Sequence, residues 1–239
     1  MLDEKVIEVK DLAKKFGDFT ANKNLTFDVY KGEIFGFLGA NGAGKTTAIR
    51  ILCGLSSATS GYISVAGYSK PSVIKKHIGY MSQKFSLYED LTVYENIRLF
   101  GGIYGIPKKE IKIKAIDLIT RLGLESLKDT LIRELPLGWK QKLAFSVAIF
   151  HNPKIVFLDE PTGGVDPITR RQFWDMIYEA AEKGITVFVT THYMDEAEYC
   201  DRVSIMVDGK IEALDTPSNL IREFNALNMD EVFIKLARK

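Results

Sequence analysis

Short apolar runs, bounded by glycine and polar positions, recur along the chain. Residues 6–9, 25–29, 34–38, 62–65 and 78–81 read as strands. Residues 155–158, 185–190 and 203–207 are almost uninterruptedly apolar, the pattern of strands covered on both faces of a parallel sheet. Helical periods lie between them, notably over 168–183, where Gly184 supplies a C-terminal stop. From 92 to 122 the period is helical. Val93, Ile97, Phe100 and Tyr104 form one stripe, and after Gly105 and Pro107 a second follows at Ile111, Ala115, Ile119 and Leu122. Lys108, Lys109, Lys112 and Lys114 fall on the polar side of that second stripe and read as a solvated face. The pattern predicts an α/β core built from residues 1–84 and 151–239, with an inserted helical subdomain over 85–150. No internal repeat or heptad run points to a solenoid or a coiled coil.

Composition narrows the class of partner. Of 239 residues, 46% are hydrophobic and 26% charged, which is ordinary for a folded domain. Lys plus Arg number 32 and Asp plus Glu 31, a net charge of +1, so no nucleic-acid partner is expected. The longest charge-free span, residues 51–69, is broken by glycines and hydroxyl residues and does not read as a membrane helix. The first ten residues carry five charges and no apolar stretch, so no secretory signal is expected and the chain reads as soluble. Cys53 and Cys200 match no metal-ligand spacing and suit a reducing cytosol.

The chemistry begins at Gly39-Ala40-Asn41-Gly42-Ala43-Gly44-Lys45-Thr46-Thr47, which follows a predicted strand and opens a helix-compatible stretch. This is a P-loop in the context it requires. Its backbone N–H groups and the helix N-terminus favour phosphate, Lys45 adds a point charge for the β- and γ-phosphates, and the Thr46 hydroxyl can ligate Mg²⁺. A second apolar run, over 154–158, delivers Asp159 and Glu160 at its C-terminal edge, where parallel sheets bind ligands. Asp159 is suited to the Mg²⁺ hydration shell, and Glu160 to orienting or deprotonating an attacking water. Two acids there could otherwise only cap the turn at Pro161-Thr162.

With these motifs in this order, nearly the whole chain resembles the nucleotide-binding subunits of ATP-binding-cassette (ABC) transporters. The resemblance implies an α/β fold with a P-loop NTPase (RecA-like) core, an N-terminal antiparallel β subdomain and an inserted helical signature subdomain. It also implies ATP and Mg²⁺ as cofactors. Gln83 resembles the Q-loop glutamine, which in the family contacts Mg²⁺ or its water and faces the membrane partner. Asp166, within Glu160-Pro161-Thr162-Gly163-Gly164-Val165-Asp166-Pro167, is similar to the D-loop aspartate. His192, after Thr190-Thr191, resembles the switch histidine that senses the γ-phosphate. Phe16 falls where the family stacks an aromatic on adenine, with Phe19 as its rival.

One element departs from the family. Its usual signature, Leu-Ser-Gly-Gly-Gln, aligns with Leu135-Pro136-Leu137-Gly138-Trp139, in which Gly138 keeps its identity. Pro136 has neither hydroxyl nor N–H to give a phosphate, while a helix expected over 139–150 still aims its dipole there. The family works as two cassettes sandwiching two ATP molecules, so the resemblance implies a second cassette, with a homodimer favoured over a heterodimer.

Residues 83–96 and 228–236 resemble type-2 exporter cassettes of drug and antibiotic efflux systems. A separate transmembrane permease is therefore expected, with the chain peripheral on the cytoplasmic face of the membrane. Phe85, Leu87 and Tyr88 either receive a permease helix or pack within the helical lobe. Two other readings stay open at this stage: a soluble ABC ATPase acting on nucleic acid or in assembly, and a non-hydrolysing nucleotide-binding regulator.

Overall fold

A computed structural model describes residues 4–84 and 87–237. The chain opens with β1 (Lys5–Phe16) and β2 (Phe19–Tyr30), followed by β3 (Ile34–Gly39), α1 (Lys45–Leu52), β4 (Ser60–Val65), α2 (Pro71–Ile74) and β5 (Ile78–Met81). Three helices come next, α3 (Val93–Ile103), α4 (Lys108–Arg121) and α5 (Leu137–Ala148). The rest is β6 (Ile155–Asp159), α6 (Pro167–Glu182), β7 (Thr186–Thr191), β8 (Arg202–Val207), β9 (Lys210–Asp215), α7 (Pro217–Glu223) and α8 (Met229–Ala237).

The strands form two sheets. A three-stranded antiparallel sheet has the order β2-β1-β4, and a six-stranded sheet the order β5-β6-β7-β3-β8-β9, parallel except for the β8–β9 pair. Period-2 alternation sorts β3 between two cores: Ile34 and Leu38 face one, Phe35 and Phe37 the other. On the first face α5, α6 and α8 cover the sheet with Phe145, Phe173, Trp174 and Val232. On the second, the small sheet and α1 close over a ring cluster in which Phe188 lies 5.2–6.2 Å from Phe27, Phe35, Phe37 and Phe157. Burial on both faces is the reason these strands are apolar without alternation. A third cluster joins α3, α4 and α5 through Val93, Ile97, Ala115, Leu118, Ile119, Leu143 and Val147.

Capping fixes where helices begin. Thr92 and Glu95 form a reciprocal capping box on α3, and Asp166 followed by Pro167 starts α6. The signature helix expected over 139–150 instead spans Leu137–Ala148, with Pro136 as its N-cap, whose carbonyl accepts from the Trp139 and Lys140 N–H groups at 3.0 and 3.1 Å. Lys108, Lys109 and Lys112 are exposed and Lys114 is half-buried. Two elements carry too little apolar signal to be read from sequence: the four-residue α2 and the half-exposed edge strand β9. The sequence cue for β9 is Asp208-Gly209, whose φ values of 48° and 80° make a tight two-residue hairpin. Both cysteines are free and buried. Among the described residues, no helix is long and apolar enough to cross a membrane.

His151 pins the end of α3 to the sheet. Its ring stacks on Tyr104 at 3.8 Å and its Nε2–H donates to the Ile78 carbonyl at 3.1 Å. Burial pushes the imidazole below the usual histidine value, partly offset by that carbonyl. The unfolded chain therefore binds this proton more readily than the native one does, so stability is full above about 6.5. It falls as pH drops from there toward the depressed native value. Thermal midpoints across this window should decline in the wild type, and His151→Gln should flatten the slope. An unchanged slope would refute the assignment.

Candidate functional site

The site forms where the ends of β3, β6 and β7 meet, since in-register parallel pairing sets Leu38 beside Thr191 and Asp159 beside Thr190. The P-loop leaves β3 at Gly39 and enters α1 at Lys45. Two of its glycines are required by close approach. A Cβ on Gly39 would stand 2.5 Å from the Met206 carbonyl oxygen, and one on Gly44 would stand 2.4 Å from that of Ala21. The loop is also held from outside: Asn22 Nδ2 donates to the Gly44 carbonyl at 3.1 Å, and the Gly209 N–H donates to the Ala43 carbonyl at 3.1 Å. Ala40, Asn41 and Gly42 are exposed at its crest, and Thr47 is half-buried in the first turn of α1.

Three of the sequence-predicted residues converge on a fourth, Glu160. Lys45 Nζ lies 3.2 Å from Glu160 Oε1 and donates to the Gly39 and Ala40 carbonyls at 2.8 and 3.1 Å. Gln83 Nε2 donates to Glu160 Oε2 at 3.2 Å, and His192 Nδ1 lies 3.2 Å from the same oxygen. An ionised carboxylate only accepts, so this contact uses the Nδ1–H form of His192 and leaves Nε2 for another partner. Glu160 sits at φ +50°, a backbone region that a residue with a Cβ seldom occupies, as at other sites that store local strain.

Asp159 is buried, and its Oδ1 accepts from the Thr46 hydroxyl at 3.1 Å and the Thr190 hydroxyl at 2.9 Å. Burial holds its carboxyl above the usual aspartate value; the Thr190 and Thr46 hydroxyls pull it partly back. Thr190 also accepts from the Glu160 N–H at 3.0 Å, so one hydroxyl fixes both acids. Sequence reading passed over this residue as a site member, although a threonine in an apolar buried strand was its signal.

The remaining candidates lie elsewhere. Asp166 caps its own helix by accepting from the Ile168 and Thr169 N–H groups at 3.0 Å. Hydrogen bonds from Thr169 hold its carboxyl below the usual range. Gly138 packs against the same Thr169, where a Cβ would be 2.8 Å from Cγ2. Gln141 Nε2 ties α5 to the Gly163 carbonyl at 3.2 Å. Gly138 and Asp166 are thus brought to each other, not to the Glu160 cluster. Phe16 and Phe19 face each other at the tip of the β1–β2 hairpin, 54% and 64% exposed, and Lys14 Nζ stands 4.9 Å over the Phe16 ring. Phe85 lies outside the described residues, Leu87 packs against the core, and Tyr88 is exposed beside Phe100.

Beyond the predicted set, buried Thr162 donates to Glu196 Oε1 at 2.6 Å, and Arg170 lies 3.7 Å from that oxygen and over the Tyr193 ring at 4.1 Å. This group joins the segment after Glu160 to the segment after His192.

Comparison with known proteins gives the family. The ABC transporter family model matches residues 22–163. The probable multidrug ABC transporter ATP-binding protein YbhF of Escherichia coli (strain K12) is 50% identical over 220 residues, 91% of this chain; the chain spans only 38% of that relative's length. The linearmycin resistance ATP-binding protein LnrL of Bacillus subtilis (strain 168) is 35% identical over 219 residues, covering 90% of this chain and 70% of the relative. A solved structure described as the ATP binding subunit of an ABC transporter superposes with a TM-score of 0.86 at 30% identity, covering 97% of this chain and 99% of its own.

Removing the shared hydroxyl leaves buried Asp159 short of a donor. Thr190→Val should therefore cost about 1–3 kcal/mol in urea unfolding, and Thr190→Ser well under 1 kcal/mol. Equal stabilities for the two variants would contradict the role given to the hydroxyl.

Proposed function

From the premise that this chain belongs to the ABC transporter ATP-binding family, we propose that it binds and hydrolyses ATP to drive a separate membrane permease in export. The observation that carries the reading is the Glu160 carboxylate, held between Lys45, Gln83 and His192 at the mouth of the P-loop.

Nucleotide phosphates would compete with Glu160 and the Gly39 and Ala40 carbonyls for the Lys45 ammonium. Transfer of Lys45 to the phosphates frees Glu160 Oε1 to accept a proton from the attacking water, while Gln83 and His192 keep its other oxygen in place. With Nδ1–H kept on Glu160, His192 Nε2 would donate to the γ-phosphate only in the doubly protonated ring, in which both nitrogens carry a proton. Phe16, or Phe19 across the hairpin, would supply the stacking surface for adenine. The residues present also fit Mg²⁺: Thr46 and Asp159 offer hard oxygen donors, and Gln83 lies beside them on Glu160. Among the described residues, no group of three or more His, Cys, Asp and Glu forms a protein cage, and Mg²⁺ needs none when phosphates and water complete its shell. Bound there, the ion would neutralise charge on the β- and γ-phosphates.

A second cassette enters the reading because the signature and the D-loop lie apart from the P-loop of their own chain. In a homodimer each Leu135-Pro136-Leu137-Gly138-Trp139 segment would face the other chain's phosphates. Without the serine hydroxyl, the contact rests on backbone N–H groups at the start of α5 and on its dipole. The relatives named for multidrug transport and linearmycin resistance support the export direction. The permease would hold the complex at the inner face of the cell membrane.

Steady-state ATPase assays should show turnover for the wild type and a loss of about two to four orders of magnitude for Glu160→Gln. That variant should run as a dimer in ATP by light scattering. Equal rates would remove Glu160 from catalysis, and a monomer at saturating ATP would remove the two-cassette reading. Purification from detergent-solubilised membranes should bring down a helical permease; nucleic acid or a soluble scaffold in its place would overturn the transporter role.

A further inference from the structure

A cleft of about 720 Å³ opens where α4, α5 and α6 meet the beginnings of β6 and β7, at the opposite end of these strands from Glu160 and His192. Its volume is in the range of small-molecule sites. The floor is apolar, built from Leu118 of α4 and Leu122 just after it, Phe145 of α5 and Ile149 just after it, and Met176 of α6. Around it stand Lys114, Arg121, Lys142, Lys154 and Lys183, against only Asp117 and Glu179.

Both carboxylates are already engaged within their own helices: Asp117 with Arg121 at 2.9 Å and Glu179 with Lys183 at 3.8 Å. Lys142 donates to the neutral Gln172 Oε1 at 2.7 Å and stands 4.9 Å over the Trp139 ring. Lys114 and Lys154 make no ion pair among the described residues. Three ammonium groups with no carboxylate in ion-pair contact therefore border an apolar floor, Lys154 having only Glu4 at longer range. A hydrophobic ligand alone would leave those charges beside apolar surface, and a purely hydrophilic anion would leave the floor unused. The complementary ligand has both parts.

We propose that this cleft binds a small amphipathic anion, with an apolar body on the Leu118–Ile149–Met176 floor and a carboxylate, sulfonate or phosphate head neutralised by Lys114, Lys142 and Lys154. The site extends to the segment that departs from its family, because Trp139 is at once a wall of the cleft and the last residue of that signature. An occupant would bridge α4 and α5 to α6 and fix the Trp139 side chain from behind.

The test titrates the full chain with 1-anilinonaphthalene-8-sulfonate, an aromatic body with one sulfonate, following probe emission and its sensitisation by tryptophan. One saturable site is expected, weakened by added salt. Reversing the two unpaired charges in Lys114→Glu/Lys154→Glu should weaken it by roughly tenfold or more. Ser146→Phe, which fills the cleft from α5, should abolish it, and Trp139→Phe should lower the sensitised emission. The exposed control Lys23→Glu should bind as the wild type does. Decanoate should displace the probe and inorganic phosphate should not; displacement by phosphate alone would replace the amphiphile with a simple anion. Unchanged affinity in the charge-reversed protein, at a wild-type thermal midpoint, would overturn the proposal even if Ser146→Phe fails to fold.

Discussion

One buried carboxylate organises the candidate site. Asp159 lies at the end of a wholly buried strand and accepts from hydroxyls on two other elements, Thr46 on α1 and Thr190 on β7. An ionised group in that position is costly unless donors surround it, and burial, with the neighbouring Glu160, holds its carboxyl above the usual aspartate value. The same cost gives a hard cation a reason to bind beside it. It also ties three segments, distant in sequence, into one rigid mouth. Lys45, the first residue of α1 and the neighbour of Thr46, and Glu160, which follows Asp159 at the end of β6, are placed by that junction at 3.2 Å from each other. A loosened junction would scatter the groups that a phosphoryl transfer must hold in line.

The signature segment follows a different logic. Having no hydroxyl of its own, on the proposed reading it would rely on backbone donors, and backbone donors work only if the helix that presents them is held still. Gly138 abuts Thr169, and Gln141 is bonded to Gly163, so α5 is docked on the loop that follows Glu160. Thr162, Glu196 and Arg170 carry that loop on toward His192. Glu160 and the Leu135–Trp139 segment are therefore linked through packed and hydrogen-bonded neighbours within one chain. The cleft on the far side of α5 touches the same helix through Trp139, which places a ligand surface behind the signature.

Much was legible in the sequence alone. Fold class followed from buried strands without alternation, from the helical stripes between them, and from Gly39 to Thr47 after a strand. Asp159 and Glu160 were recognisable because a strand end in a parallel sheet is where ligands meet the chain. These features are local: side-chain type and backbone torsion within a few residues decide them. What the tertiary structure alone decided depends on register between strands that are not neighbours in sequence. β6 must lie beside β7 with Asp159 opposite Thr190 before that threonine can hold two acids. The same holds for Gly39, whose need for a bare Cα comes from Met206 on β8, and for the five cations that four separate segments gather around one cleft. Period and spacing report which face a residue presents to the core; they carry no information about which distant residue will stand opposite, because that is settled by packing of the whole sheet.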